Sequence, residues 1–218
     1  MKKFMCLKNY LWWFCLLASY SFAQNSFVGK IEFLYYQRDT TKNVYWVKEP
    51  YVRLDQYSKN NDGTLEGSFL FNLSNKDIKM LSHRRKLWNI HKSTVPPVIK
   101  GQCEVIQTKN TKKIEGLTCT EYIVKNTTED IEISYWIYEN GNYTFFQPLL
   151  NLWNRKDKQS VYFNQIKNLP KGAVPLLSVE KQISTGKILS KLETVKITPQ
   201  KLNEDDFQVP ANYKKFEE

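Results

Sequence analysis

Across residues 27–197 the apolar side chains of this sequence return at every second position, in short runs cut by polar turns. That period belongs to strands with one buried face, because successive side chains of an extended chain point to opposite sides. Phe27, Ile31, Phe33 and Tyr35 share one face of a first strand. Val44-Tyr45-Trp46-Val47 and Tyr51-Val52-Arg53-Leu54-Asp55 follow, and Pro50, which has no N–H to offer a ladder, marks a corner between them. The turn Asn60-Asn61-Asp62-Gly63 leads into Phe69, Phe71 and Leu73, and Asn75-Lys76-Asp77 returns the chain through Ile78 and Leu81. Residues 86–91 supply another strand, and Val95-Pro96-Pro97 breaks the sheet. Ile131, Ile133, Tyr135 and Ile137 alternate with Glu132, Ser134, Trp136 and Tyr138. Bulk on both sides predicts a strand covered on both faces. Two more strands are expected over residues 176–183 and 188–197, joined at Ser184-Thr185-Gly186.

Helical spacing competes only between Phe146 and Leu169, where Leu149, Leu150, Trp153, Val161, Phe163 and Ile166 predict one or two short helices. Roughly ten strands without βαβ alternation point to a mainly β fold: one large antiparallel sheet that curls to hide its apolar face. The helices are expected over its concave side. No repeat or low-complexity linker divides residues 24–218, which read as one domain.

The first 23 residues read differently. Lys2 and Lys3 precede an uncharged stretch from Tyr10 through Ala18, and Ser21-Phe22-Ala23 puts small residues where a signal peptidase cuts. Residues 1–23 are thus expected to be a cleavable signal peptide. The stretch is too short for a membrane span, which needs about 20 apolar residues. Lipidation at Cys15 is disfavoured by the bulk of Trp13 and Phe14 before it. A periplasmic location follows, with secretion or the cell surface as alternatives. The chain carries a net charge of +10, but export removes nucleic acid as a partner. The clusters His83-Arg84-Arg85-Lys86 and Lys109 with Lys112-Lys113 read as solvated turns.

Cys103 and Cys119 remain in an oxidising compartment. The polar run Lys109-Asn110-Thr111-Lys112-Lys113 lies midway between them, so a hairpin turning at Thr111 brings them opposite each other. The expectation is a disulfide worth roughly 3 kcal/mol, against two free thiols in separate strands.

Signs of catalysis are sparse. The two histidines, His83 and His91, belong to no zinc-binding pattern, and no serine elbow or phosphate loop is present among only eight glycines. Glu129-Asp130 and Glu204-Asp205-Asp206 lack the alternation of a calcium loop. No enzyme, metal or cofactor is expected.

Trp46-Val47-Lys48-Glu49-Pro50 resembles the strand corner of the periplasmic lipoprotein carriers of the LolA and LolB type. Ile114-Glu115-Gly116-Leu117-Thr118-Cys119-Thr120-Glu121-Tyr122 resembles the I-x-G-x-x-C-x-x-Y signature of DUF4412 envelope proteins, as do Gly172-Ala173-Val174-Pro175-Leu176 and the closing Phe207-Gln208-Val209-Pro210-Ala211-Asn212-Tyr213. The resemblance implies a half-barrel with a helical lid over a cavity for acyl chains. Glu49 stands where the carriers commonly have the arginine that latches their lid, so the same latch is not implied. The functional expectation is a periplasmic binding protein holding an apolar small molecule or lipid, with Trp46, Phe69, Phe71, Ile133, Tyr135 and Trp136 as candidate lining. The alternative is a non-enzymatic module that docks on an envelope protein through an exposed sheet edge.

Overall fold

A computed structural model describes residues 26–58, 63–92 and 98–216. The signal segment 1–23, the turn residues Asn60, Asn61 and Asp62, and the Val95-Pro96-Pro97 break lie outside them. The strands are β1 (Val28–Tyr36), β2 (Thr40–Lys48), β3 (Tyr51–Tyr57), β4 (Leu65–Asn72), β5 (Asp77–Ser82) and β6 (Leu87–Ile90) in the first half. The second half holds β7 (Glu104–Ile114), β8 (Leu117–Asn126), β9 (Ile131–Tyr138), then α1 (Phe146–Trp153) and α2 (Lys158–Phe163), then β10 (Val174–Gln182) and β11 (Ile188–Pro199). A 3-10 turn (Glu204–Phe207) and the two-residue β12 (Lys214–Lys215) end the chain.

All twelve strands form one sheet in the order β12-β6-β5-β4-β3-β2-β1-β11-β10-β9-β8-β7. The sheet is a curved half-barrel, open between β12 and β7. It consists of two antiparallel meanders joined where β1 pairs with β11, and β12 alone is added parallel, beside β6. Strand pairs up to β6 follow the corners read from the sequence, including Lys48-Glu49-Pro50 between β2 and β3.

One hairpin differs. The β7–β8 turn is Glu115-Gly116, with Ile114 opposite Leu117. Both turn residues have positive φ, 50° and 78°, the backbone a two-residue hairpin requires, and glycine supplies it without strain. The polar run at Thr111 is instead strand, opposite Thr120. This register overturns the expected disulfide. Cys119 faces Lys112, while Glu104 faces Lys125, so Cys103 lies near Asn126, whose side-chain amide contacts its sulfur at 3.7 Å. Seven residues of strand, roughly 23 Å, separate Asn126 from Cys119, and both thiols are free. Polarity marked a solvent-exposed edge strand there, not a turn.

α1 presents Leu149, Leu150 and Trp153 to the sheet. Pro148 is tolerated in its first turn, where N–H groups have no helical acceptor, and left-handed Asn154 ends it. α2 begins at Asp157, whose side chain accepts from the Ser160 amide and satisfies an otherwise orphaned donor. The segments entering and leaving this insert meet at a neck. A side chain on Gly172 would lie 2.0 Å from the Gly141 carbonyl, so only glycine permits the approach.

Candidate functional site

Alternation in each strand decides what faces the helices. Ile31, Phe33 and Tyr35 of β1 pair with Tyr45, Asn43 and Thr41 of β2, and all six line a cavity beneath α1 and α2. Leu54 from β3, Tyr135 from β9 and Leu176 and Ser178 from β10 continue the floor. Phe145, Phe146, Leu150, Trp153 and Phe163 form the roof. The cavity volume is about 120 Å³. Among the lining, Arg155 and Asp157 pair at 2.8 Å, and the guanidinium lies 4.6 Å from the Trp153 ring. Burial pushes the Tyr45 hydroxyl up to about 12 and raises that of Tyr135 well above the usual tyrosine range. Both stay protonated donors at any ordinary pH. No three His, Cys, Asp or Glu side chains converge as metal ligands among the described residues.

Of the six candidate lining residues, Tyr135 lines this cavity. Phe69 and Phe71 share its face but are covered by Trp153, whose ring centroid lies 5.1 Å from each. Ile133 is fully buried in the cluster formed with Val161, Tyr162 and Phe163 of α2. Trp46 and Trp136 sit on the opposite face, as neighbours of the inward Tyr45 and Tyr135 must. The Lys30 ammonium covers Trp46 at 3.7 Å, and Lys112 lies 5.8 Å from Trp136.

Polar contacts hold the insert down. Tyr135 donates to the Gln159 carbonyl at 2.7 Å, and the Gln159 side-chain amide donates to Ser190 at 2.7 Å. Ser178 donates to Gln159 Oε1, and Ser190 to Glu180 at 2.6 Å. Outside this cluster, Glu129 accepts from Lys158 and Tyr162, both at 2.5 Å, and from the Lys100 amide at 3.0 Å. Burial alone would raise the Glu129 pKa, but these donors outweigh it and bring it down to about 2. Glu49 accepts from Thr144 just before α1.

A second polar cluster lies on the convex face, beneath the C-terminal segment, where sequence patterning assigned His83 no role. Asp55, 1% exposed, accepts from Trp46 Nε1 at 2.9 Å, from Arg53 Nε at 2.6 Å and from Ser68 Oγ. Ser68 also lies 2.7 Å from His83 Nε2, and His83 Nδ1 lies 2.7 Å from the Tyr213 hydroxyl. Because Ser68 spends its proton on Asp55, it accepts from His83 Nε2, and neutral His83 accepts from Tyr213. A nucleophilic serine needs the reverse, with histidine taking its proton. Ser68 is also wholly buried. The cluster is a fastening: with Arg53 donating to the Asp206 carbonyl and Phe207 stacked on Tyr51, it straps the tail to the sheet. Burial lowers the His83 pKa; Asp55 opposes this and Arg53 adds to it.

Comparison with known proteins agrees on fold. An uncharacterized conserved protein from Thermus thermophilus superposes with a TM-score of 0.50 at 9% identity, over 86% of this chain and 88% of that one. Two crystal structures of PNGF-II align with TM-scores of 0.44 and 0.42 at 12% identity, over 85% and 84% of this chain but 30% of theirs. No curated protein matches the sequence. The model of a domain of unknown function, DUF4412, matches residues 27–213, and the chain belongs to that family.

Proposed function

We propose that the protein is an exported, non-enzymatic binding protein that holds an apolar group between the concave face of its sheet and the α1–α2 insert. The cavity carries this reading: aromatic and aliphatic walls from both sheet halves, roofed by helices, with one charged pair in its lining. Pockets of that make-up, mostly apolar with a few placed polar groups, are the usual form of small-molecule sites. At about 120 Å³, it is near the ~150 Å³ apolar cavity that takes benzene and below the ~300 Å³ at which drug-sized sites begin. A ring or short branched tail fits that volume. A whole acyl chain needs the insert to lift, withdrawing Trp153 from the hollow over Phe69 and Phe71. Lifting it means breaking the Gln159 and Glu129 contacts and the packing of α2 on Ile133, while the neck at Gly141 and Gly172 stays in place.

Docking by strand addition has less support. β12 is two residues long, and edge strand β7 is bulged where Thr108 and Asn110 both donate to Glu121. Short, bulged and lysine-bearing edges are how sheets discourage added strands. The compartment is the periplasm on the strength of the N-terminal reading. Solvent extraction of the purified protein with mass spectrometry, and displacement of a bound fluorescent fatty acid, test the proposal. Co-purifying lipid and saturable displacement are expected; neither being seen refutes it.

A further inference from the structure

We propose that the edge built from β5, β6 and β12 docks the protein on an anionic lipid surface. Arg84, Arg85 and Lys86 are exposed on the β5–β6 turn, and Lys92 is exposed beyond β6. β12 adds Lys214 beside Leu87 and Lys215 beside Trp88. The Trp88 indole lies between two ammonium groups, Lys79 at 5.7 Å and Lys215 at 5.8 Å. Ile90, on the same face of β6 as Trp88, is exposed by 52%; Met80, opposite Asn89 on the other face of this edge, and Phe216 after β12 are exposed by 44% and 49%.

Residues 79–92 and 213–216 contain no acid. Asp77 at the start of β5 and Glu66 beside the turn flank the patch, and Glu217 and Glu218 follow in sequence outside the described residues. The other lysine cluster is balanced: Lys109, Lys112 and Lys113 share the β7–β8 hairpin with Glu104, Glu115 and Glu121. A cation-rimmed sheet edge with exposed apolar side chains on both of its faces, and an indole between lysines, suits insertion edge-on into a bilayer interface. Lysine stems lie along apolar surface there while their charges reach headgroup phosphates. A protein partner fits less well, because interface cores are depleted of lysine.

Co-sedimentation with vesicles tests this. The protein should bind phosphatidylglycerol-containing vesicles, release with rising salt, and ignore pure phosphatidylcholine. Combined Arg84→Gln, Arg85→Gln and Lys215→Gln should weaken binding about 100-fold, at about fivefold per cation. Ile90→Ser should weaken it further. Combined Lys109→Gln, Lys112→Gln and Lys113→Gln removes the same charge elsewhere and should leave binding nearly unchanged. All the substituted positions but Ile90 are charged surface sites, and fatty-acid displacement should be the same in every variant, which separates this proposal from the cavity reading. Four results overturn it: no binding to anionic vesicles, equal binding to neutral ones, equal loss in the β7 control, or displacement from vesicles by a polyglutamate peptide bound more tightly at the same residues.

Discussion

Trp153→Ala is the perturbation that separates a docked lid from a loose insert. Trp153 is 6% exposed and lies against Phe69 and Phe71 with centroids 5.1 Å away. A tryptophan buries about 150–250 Å², which at ~25 cal/mol/Å² corresponds to about 4–6 kcal/mol. That is an upper bound, because an unfolded chain already hides part of the ring. Its neighbours also border an existing cavity and can relax into the space. The expected loss is therefore about 3 kcal/mol, the low end of the range for tryptophan truncation. For a chain of this size that lowers the melting temperature by roughly 6–12 °C. Denaturant unfolding should show the loss as a shifted midpoint with unchanged slope. The vacated hollow should meanwhile take up a fluorescent fatty acid more tightly, and excess ligand should restore stability. A loss below about 1 kcal/mol would mean that α1 does not rest on the sheet. Full destabilisation without improved uptake would remove the hollow as binding space.

Three further outcomes follow from named contacts. Protein beginning at Gln24, denatured without reductant, should show Cys103 and Cys119 both reactive to thiol reagents, and reductant should leave its melting temperature unchanged; in the native protein Cys119 should stay silent, being buried with its pKa pushed up to about 11. Gln159→Leu leaves the buried Ser178 hydroxyl without its acceptor and Ser190 with Glu180 alone, and should cost about 2 kcal/mol, measured by urea unfolding; a neutral effect would show that the insert is not pinned there. Glu129 has a folded pKa of about 2, below its unfolded value near ~4.3, so the stability it contributes is complete above the unfolded value and disappears as pH falls through the folded one. Glu129→Gln should flatten the acid limb of a stability–pH profile between those limits, and an unchanged limb refutes the assignment.

Period-two alternation was enough to read nearly every strand, because burial on one face of a sheet imposes that period directly. The spacing of Leu149, Leu150 and Trp153 likewise gave α1. Turn placement was harder. Residues 109–113 are polar because β7 is an edge strand exposed on both faces, and an exposed strand has the composition of a turn. Glu115-Gly116, with one glycine, was the better signal for a two-residue hairpin. For a related reason the candidate lining was legible as to face for four of the six residues, Phe69, Phe71, Ile133 and Tyr135, of which Tyr135 lines the cavity. Selecting Trp46 and Trp136 by size ignored phase: Tyr45 and Tyr135, one residue away, face the helices, so their neighbours cannot. The Asp55–Ser68–His83–Tyr213 chain left no trace in sequence, since its members lie on separate strands, a turn and the tail. Only the register that sets Asp55 opposite Ser68 brings its centre together.

Where the sheet bends follows from irregularities that no periodicity reports. The β1–β11 ladder shifts register at Glu32/Phe33, β9–β10 at Pro175/Leu177, and β10–β11 at Glu180/Lys181. Each such bulge adds a residue on one side and increases local twist and bend. These three gather in the central strands, under the insert, and Phe33, Pro175 and Leu176 beside them line the cavity. At Pro175 the missing N–H makes an interruption of the ladder inexpensive. The shift there also turns Leu176 inward and leaves it fully buried. Curvature and cavity meet at this one shift: its displaced residue, Leu176, lines the hollow, while the displaced residues of the other two, Val195 and Leu189, are exposed. Helices packed on a flat sheet would close over a continuous apolar seam. On this curved one a space remains among Tyr45, Tyr135 and Phe163.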